Sequence, residues 1–142
     1  LAVAAVAAAL AAALNERGQC LCVPLVAAAA LLHDVARAEP RHAEAGAALL
    51  ERLGYPRVAP AVRRHMRLGE TAAGDLDEAQ VVFLADKLVQ DDRLAGLEAR
   101  FAARLRRHAG DDDALEGVRQ RLEEARAVQA RVEAVLGRPL GV

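Results

Sequence analysis

Alanine is the commonest apolar residue of this chain, and aromatic residues are nearly absent from it. Hydrophobic residues make up 54% of the sequence, whereas Phe, Trp and Tyr together make up 2%. Alanine favours closely packed helices, while strand-rich sandwiches depend on β-branched and aromatic residues. We therefore predict an all-α fold, a compact bundle of about six helices.

The length and charge of the chain exclude several classes of protein. Its 142 residues suit one compact domain over 1–142, with a core that needs no disulfide staples. The formal net charge is -1, so no global basic field attracts nucleic acid or anionic lipid. The apolar run from Leu1 to Leu14 is shorter than the roughly 18 residues of a membrane span, and no basic signal-peptide segment precedes it. We expect neither nucleic acid nor a membrane as a partner.

Several common catalytic groups are missing or unsuitable. The sequence has no serine to act as a nucleophile, and no glycine-rich phosphate loop. Its two cysteines, Cys20 and Cys22, are separated by one residue, so a mutual disulfide would be strained and a four-thiolate zinc site is impossible within one chain. This cysteine usage fits a reducing, cytoplasmic setting.

Proline, glycine and acidic residues divide the chain into predicted helices. These cover about 1–15, 24–37, 41–53 and 57–68, then 78 to near 91 with an apolar stripe that continues to about 109, and a last helix capped by 110–113. The pattern leaves open whether a kink interrupts the stripe at 90–92. A polar loop is predicted over Gly69–Asp75. The narrow apolar stripe of the last helix would dock on the core or on a second copy, giving a homodimer through the C-terminal helices.

An apolar run ends in two ionisable residues, His33 and Asp34. A buried carboxylate without a partner costs several kcal/mol, and the free carbonyls of a helix end favour a nearby cation. A bound metal ion would therefore explain the pair. The alternative is a helix that ends at the protein surface, where both side chains are solvated.

Three further ionisable residues lie on apolar faces of predicted helices. Asp86 has Val82 and Phe83 as its neighbours at the three- and four-residue spacings, and His42 and His65 also face apolar neighbours. A single inward histidine is more often a satisfied core residue than a ligand. Inward positions on four separate helices have one common explanation, a nitrogen and oxygen ligand set around a divalent metal. The predicted ligands are His33, Asp34, His42, His65 and Asp86.

Basic residues lie close in sequence to these positions. Arg37 and Lys87 are near neighbours of the predicted ligands, and Arg93 follows Asp86 by two turns on the same predicted helix face. There a guanidinium could hold a phosphate through two hydrogen bonds. A basic run is more often only a solvated face.

The order of these residues resembles the HD-domain metal-dependent phosphohydrolases, which carry a His-Asp pair and a distal aspartate on an all-helical core. His33-Asp34 resembles the signature pair, and Ala85-Asp86-Lys87 resembles the distal motif. His42 and His65 resemble the additional histidines of a subset with five or six ligands, which includes HD-type diadenosine tetraphosphate hydrolases. The resemblance covers roughly residues 1–93, and 94–142 would form a C-terminal helical extension.

Two positions depart from the family's pattern. The family's first histidine would fall just before Leu1, and Arg37 stands where many members have lysine, which changes a point donor into a fork. The whole chain is also similar to the HD module attached to nucleotidyltransferases of the molybdenum-cofactor type. We therefore expect that it belongs to a longer chain with an N-terminal catalytic domain.

The resemblance implies hydrolysis of a phosphate ester or anhydride in a small phosphorylated molecule, a nucleotide. One or two divalent ions on the five ligands would activate water, with Asp34 as the bridging ligand. Arg37, Lys87 and Arg93 would neutralise charge on the phosphoryl group. Mixed imidazole and carboxylate ligation favours iron, manganese, zinc or cobalt over magnesium.

Two other functions stay open at this point. The chain could be a regulatory module that senses a nucleotide or supports an attached nucleotidyltransferase without turnover. It could also be purely structural, with a last helix that mediates dimerisation, in which case no metal would bind.

Overall fold

Seven helices and one short hairpin make up the part of the chain that the structure describes, residues 1–69 and 74–142 of a computed structural model. The helices are α1 (Ala2–Asn15), α2 (Val23–Leu32), α3 (His42–Arg52), α4 (Ala59–Arg63), α5 (Glu78–Leu88), α6 (Leu97–Arg107) and α7 (Asp112–Leu136). The strands β1 (Val89–Gln90) and β2 (Arg93–Leu94) form an antiparallel pair between α5 and α6. The all-α prediction is confirmed.

Helix α5 is the central element of the bundle. It packs against α1, α2, α4, α6 and α7, and every residue from Ala79 to Leu88 is buried. Its start is fixed by a capping box, in which the Gln80 N–H donates to the Asp77 carboxylate and the Asp77 N–H donates to the Gln80 side chain. Because α5 is buried from Ala79 to Leu88, Asp86 and Lys87 lie inside the protein.

Helix α1 covers one side of α5 and also packs on α2. Its buried residues recur at three- and four-residue spacing, namely Ala7, Leu10, Ala11 and Leu14. The small alanines let the helices approach closely. At the end of α1, the Asn15 side chain accepts from the Leu21 N–H and donates to the Leu21 carbonyl, each at 2.8 Å, which fixes the connection to α2.

Two predicted helices end earlier than expected. Helix α2 stops at Leu32 instead of continuing to about residue 37, and α4 covers only Ala59–Arg63 of the predicted 57–68. As a result His33, Asp34 and His65 follow helix ends instead of lying within helices. Much of the predicted loop Gly69–Asp75 lies outside the described residues.

The predicted fifth helix is also shorter, because the chain reverses after Leu88. Asp91 and Asp92 adopt the left-handed conformation, with φ of 50° and 58°, and Val89 pairs with Leu94 across the turn. Aspartate tolerates this backbone region better than most residues. The apolar stripe over 78–109 therefore belongs to two helices separated by a hairpin.

The last helix, α7, is 25 residues long and begins at a cap in which the Asp111 carboxylate accepts from the Ala114 N–H. Its buried stripe packs against α5, α6 and α1. The stripe thus docks on the chain's own core, while dimerisation stays a prediction. Among the described helices, none is both long and apolar enough to cross a membrane.

Candidate metal centre

The five predicted ligand residues come together from four separate parts of the chain. His33 and Asp34 directly follow α2, His42 is the first residue of α3, and His65 follows α4. The fifth residue, Asp86, lies in the last turn of the buried helix α5. Four of the positions are at helix ends, where the chain turns and a short side chain can reach a shared point.

One oxygen of Asp34 faces two histidines. Asp34 Oδ1 lies 3.5 Å from His42 Nε2 and 3.6 Å from His65 Nε2, and the two nitrogens are 3.3 Å apart. Ligand atoms about 2.1 Å from a common ion lie roughly 3–3.5 Å from one another. These three residues therefore form a group that could hold a metal ion.

The other oxygen of Asp34 faces a second group of donors. Asp34 Oδ2 lies 3.6 Å from His33 Nε2, and that nitrogen lies 3.5 Å from Asp86 Oδ1. The Asp34 carboxylate thus joins the two groups, with one oxygen directed to each.

Backbone hydrogen bonds orient two of the imidazole rings. The Nδ1 atoms of His33 and His65 donate to the carbonyl oxygens of Ala30 and Val62, each at 2.6 Å. Because a carbonyl can only accept, Nδ1 carries the proton in both rings, and Nε2 is turned toward the centre. This arrangement is typical of metal-binding histidines.

The contact between His42 and His65 is a test of whether a cation suits the centre. Burial lowers the pKa of His65 to about 4, so its ring is neutral near pH 7 and its Nε2 presents a lone pair. The His42 Nε2 atom lies 3.3 Å away, and two facing lone pairs would repel. Either a proton on His42 or a shared cation removes that repulsion. The donor chemistry therefore fits a divalent metal.

Asp86 has cationic neighbours within the protein. Its Oδ2 lies 2.5 Å from Lys87 Nζ, and its Oδ1 lies 3.5 Å from an Arg100 nitrogen. Burial alone would raise the pKa of Asp86, but the charge of Lys87, the hydrogen bond of His33 and the charge of Arg100 hold it well below its usual value. Asp86 is therefore ionised in the folded protein.

Asp86 also affects the protonation of His33. Burial alone would lower the pKa of His33, but the hydrogen bond and charge of Asp86 raise it above its usual value. A protonated His33 cannot bind a metal through Nε2, so protons and a cation compete for this side of the centre.

The predicted phosphate-binding residues have different environments. The Arg37 side chain is 83% exposed and lies 3.9 Å from Asp34 Oδ2, where it can meet an anion from solvent. Lys87 is fully buried, and its ammonium donates to Asp86 and to the His65 carbonyl. Lys87 therefore positions two residues of the centre, and its neutralisation of charge on a phosphoryl group stays a prediction.

The predicted placement of Arg93 on the helix face of Asp86 is wrong. Because α5 ends at Leu88, Arg93 does not share a helix face with Asp86; it lies in β2, exposed, where it pairs with Gln90. Two left-handed residues, Asp91 and Asp92, reverse the chain before it.

The arginine that lies beside Asp86 is Arg100, whereas Arg93 had been predicted on the same helix face as Asp86. Arg100 belongs to α6, its side chain is 12% exposed, and it also donates to the Val89 carbonyl. Arg100 was not predicted, because the apolar residues over 78–109 form one continuous stripe in the sequence. The signal that could have separated two helices is Gly96, a helix breaker directly before Leu97.

The comparisons with known proteins agree with this geometry. The family model of the HD domain matches residues 1–91, which is more than half of the chain and includes every residue of the two donor groups. No curated protein and no solved structure matches the chain. The chain belongs to the HD domain family.

Proposed function

We propose that this protein is a metal-dependent phosphohydrolase that cleaves a phosphate ester or anhydride of a nucleotide. Metal-dependent phosphohydrolysis is the general activity of HD-domain proteins. The observation that carries the proposal is the Asp34 carboxylate, which directs one oxygen to His42 and His65 and the other to His33. A carboxylate placed between two imidazole groups suits a site for one or two cations.

The proposed ligands are His33, Asp34, His42, His65 and Asp86. Iron, manganese, zinc and cobalt suit this mixed set better than magnesium, which prefers oxygen ligands. When bound, a divalent ion supplies Lewis acidity and lowers the pKa of its water from 15.7 toward about 7.

The chain's own residues prepare the centre for that chemistry. The carbonyl oxygens of Ala30 and Val62 hold His33 and His65 with Nε2 turned inward. Lys87 donates to Asp86, and burial keeps His65 neutral near pH 7 because it lowers the pKa of this residue to about 4. A neutral imidazole and an ionised carboxylate are the forms that bind a metal. Arg37, exposed beside Asp34, would pair with a phosphate oxygen.

Two exposed apolar residues support the nucleotide part of the proposal. Leu31 and Val35 flank the His33-Asp34 pair in sequence, and they are 56% and 44% exposed. Exposed aliphatic side chains at these sequence positions would suit a substrate that combines a phosphate with an apolar portion, such as a nucleobase.

The test is phosphate release from nucleoside mono-, di- and triphosphates with Mn²⁺, Fe²⁺, Zn²⁺, Co²⁺ or Mg²⁺. We expect metal-dependent release that falls by about 10²–10³-fold in Asp34→Ala, because the shared carboxylate is removed. The matched control is Asp91→Asn, which alters an exposed aspartate in the hairpin turn and should keep full activity.

Two outcomes would contradict the proposal. Turnover that survives Asp34→Ala would show that the chemistry occurs elsewhere. Tight metal binding without release from any nucleotide would favour a regulatory module that has kept the centre but not the reaction.

A further inference from the structure

Two arginines, one on α6 and one on α7, lack an ion-pair partner in the described part of the chain. Arg104 and Arg121 form no ion pair and no side-chain hydrogen bond within residues 1–69 and 74–142. The Arg121 Nε atom is buried and has no hydrogen-bond partner there. Both side chains are only partly exposed, so solvent does not fully replace the missing contacts.

These arginines belong to a cluster that begins at the metal centre. Arg100 lies 3.5 Å from Asp86, and Arg104 follows it by one turn on the same face of α6. Arg121 is on α7, which packs directly against α6. Buried Leu97 and Phe101 fix α6 on the core, so the arginines project from a rigid element.

Burial and like charges both act on the guanidinium groups of this cluster. Burial and then the neighbouring charge of Arg100 lower the pKa of Arg104, and Arg121 adds to this effect. Burial and the charge of Arg67 lower the pKa of Arg121. Like charges held together at partly buried positions destabilise the fold unless a counter-charge binds.

The nearby carboxylates are already engaged. Asp86 contacts Lys87 and Arg100, and Glu124 accepts from Arg67 at 3.1 Å. The charge of Asp86 favours the charged form of Arg104, and the charge of Glu124 favours that of Arg121, but in the described part of the chain neither carboxylate forms an ion pair with these arginines. The missing counter-charge would therefore come from a ligand.

We propose that Arg104 and Arg121 form an anion subsite that binds a phosphate group of the substrate next to the one that is hydrolysed. Arg100 connects this subsite to Asp86, so one oligophosphate chain could contact both places. Guanidinium groups suit this task because their planar forks form paired hydrogen bonds with phosphate oxygens. The inference rests on the proposed function and narrows its substrates to those with two or more linked phosphates.

The direct test is the binding of inorganic tripolyphosphate to the metal-free, EDTA-treated chain, measured by titration calorimetry. We expect Arg104→Gln and Arg121→Gln each to raise the Kd at least tenfold. Arg106→Gln and Arg119→Gln remove the same charge from exposed positions on the same two helices, and they should change the Kd less than threefold. Equal weakening in all four variants, or no binding by the wild type, would overturn the subsite.

Thermal unfolding gives an independent measurement. Without ligand, Arg104→Gln should melt at or above the wild-type temperature because it removes a repulsion. Tripolyphosphate should raise the Tm of the wild type and leave that of Arg104→Gln unchanged. A lower Tm for ligand-free Arg104→Gln would contradict the uncompensated charge. Arg104→Lys, which keeps the charge without the fork, should bind with intermediate affinity.

Turnover separates the failure of the subsite from the failure of the proposed function. Arg104→Gln should raise KM for a nucleoside triphosphate and leave KM for the monophosphate unchanged. Tripolyphosphate binding without any turnover would support the subsite and overturn the hydrolase. Turnover with unchanged KM for both substrates would support the hydrolase and overturn the subsite.

Discussion

The two carboxylates of the candidate centre, Asp34 and Asp86, have opposite surroundings. Asp34 faces three imidazoles, and the cation that the structure describes beside it is the exposed Arg37 at 3.9 Å. Asp86 lies between the buried ammonium of Lys87 and the guanidinium of Arg100. The chain itself therefore neutralises Asp86, whereas Asp34 needs a partner from outside.

This difference follows from where the two residues lie in the chain. Asp34 follows the end of α2, in a turn that leaves its side chain 38% exposed. Asp86 lies in α5, where every residue from Ala79 to Leu88 is buried and an unpaired charge would be costly. One side of the centre is thus built into the folded core, and the other depends on its ligand.

The largest expected effect of this difference between Asp34 and Asp86 is the destabilisation that follows the loss of Lys87. In EDTA-treated protein, we expect Lys87→Met to lower the free energy of unfolding by about 3–5 kcal/mol, because it leaves the buried Asp86 uncompensated. Chemical denaturation measures this change. Asp34→Asn is the matched variant on the other side of the centre, and it should cost less than about 1 kcal/mol. Equal losses in the two variants would show that Asp86 depends on its neighbours in the protein no more than Asp34 does.

The stability that the protein gains from a bound metal should depend on Asp34. At a free Mn²⁺ concentration 1,000 times its Kd, we expect the wild type to gain about 4 kcal/mol of stability. Asp34→Asn should lose this gain, since the shared carboxylate is gone, and Asp91→Asn should keep it. The measurement is the urea midpoint with and without the metal. A full gain in Asp34→Asn would place the ion elsewhere.

The pH dependence of stability tests whether the buried His65 is neutral in the folded protein. Burial lowers its folded pKa to about 4, so between pH 6.5 and 4 the unfolded chain binds more protons than the folded one. Metal-free protein should therefore lose about 2 kcal/mol from this residue as the pH falls from 7 to 5. His33, whose pKa is raised, acts in the opposite direction and stabilises the fold at low pH.

Denaturation of EDTA-treated protein at several pH values tests this linkage. His65→Gln should flatten the loss of stability below pH 6.5, while His108→Gln, which removes a histidine at the end of α6, should retain it. An unchanged slope in His65→Gln would show that the buried imidazole is not its source.

The smallest predicted effect concerns the packing behind Asp34. A methyl group at Gly46 would lie 3.3 Å from both Val35 and Val62, which adjoin Asp34 and orient His65 respectively. We expect Gly46→Ala to weaken Mn²⁺ binding about tenfold, because both neighbours must shift. Its metal-free stability should change by less than about 1 kcal/mol, since alanine favours the helix.

Titration calorimetry with Mn²⁺ measures the effect of Gly46→Ala. The control is Gly117→Ala in α7, where the added methyl group would meet only the end of the Arg121 side chain, at 3.7 Å. If both variants bind Mn²⁺ as the wild type does, the packing of α3 against the Asp34 turn does not determine affinity.

The sequence alone predicted the fold class, and it predicted that five residues form one metal centre. The helical class followed from the alanine-rich composition, and the inward position of Asp86 followed from its apolar neighbours on one helix face. His65 also proved to be buried, although it lies beyond the end of α4. Local spacing carries this information, because a helix places residues three and four positions apart on one face.

The environment of Asp86 could not be predicted in the same way. Its contact with Arg100 depends on a chain reversal at Asp91 and Asp92, and strands of two residues leave no periodic signal. The burial of Lys87 depends on helices from distant parts of the sequence. Partners that are fixed by tertiary packing, such as Arg100, need coordinates.

The burial of α5 limits the substitutions that this chain can tolerate in evolution. A helix with an exposed side can absorb substitutions there, but each position from Ala79 to Leu88 contacts other parts of the protein. We expect natural variation to be scarce in this segment and frequent on the outer sides of α6 and α7, where charged residues meet water. A library of random substitutions would show the same contrast in tolerance.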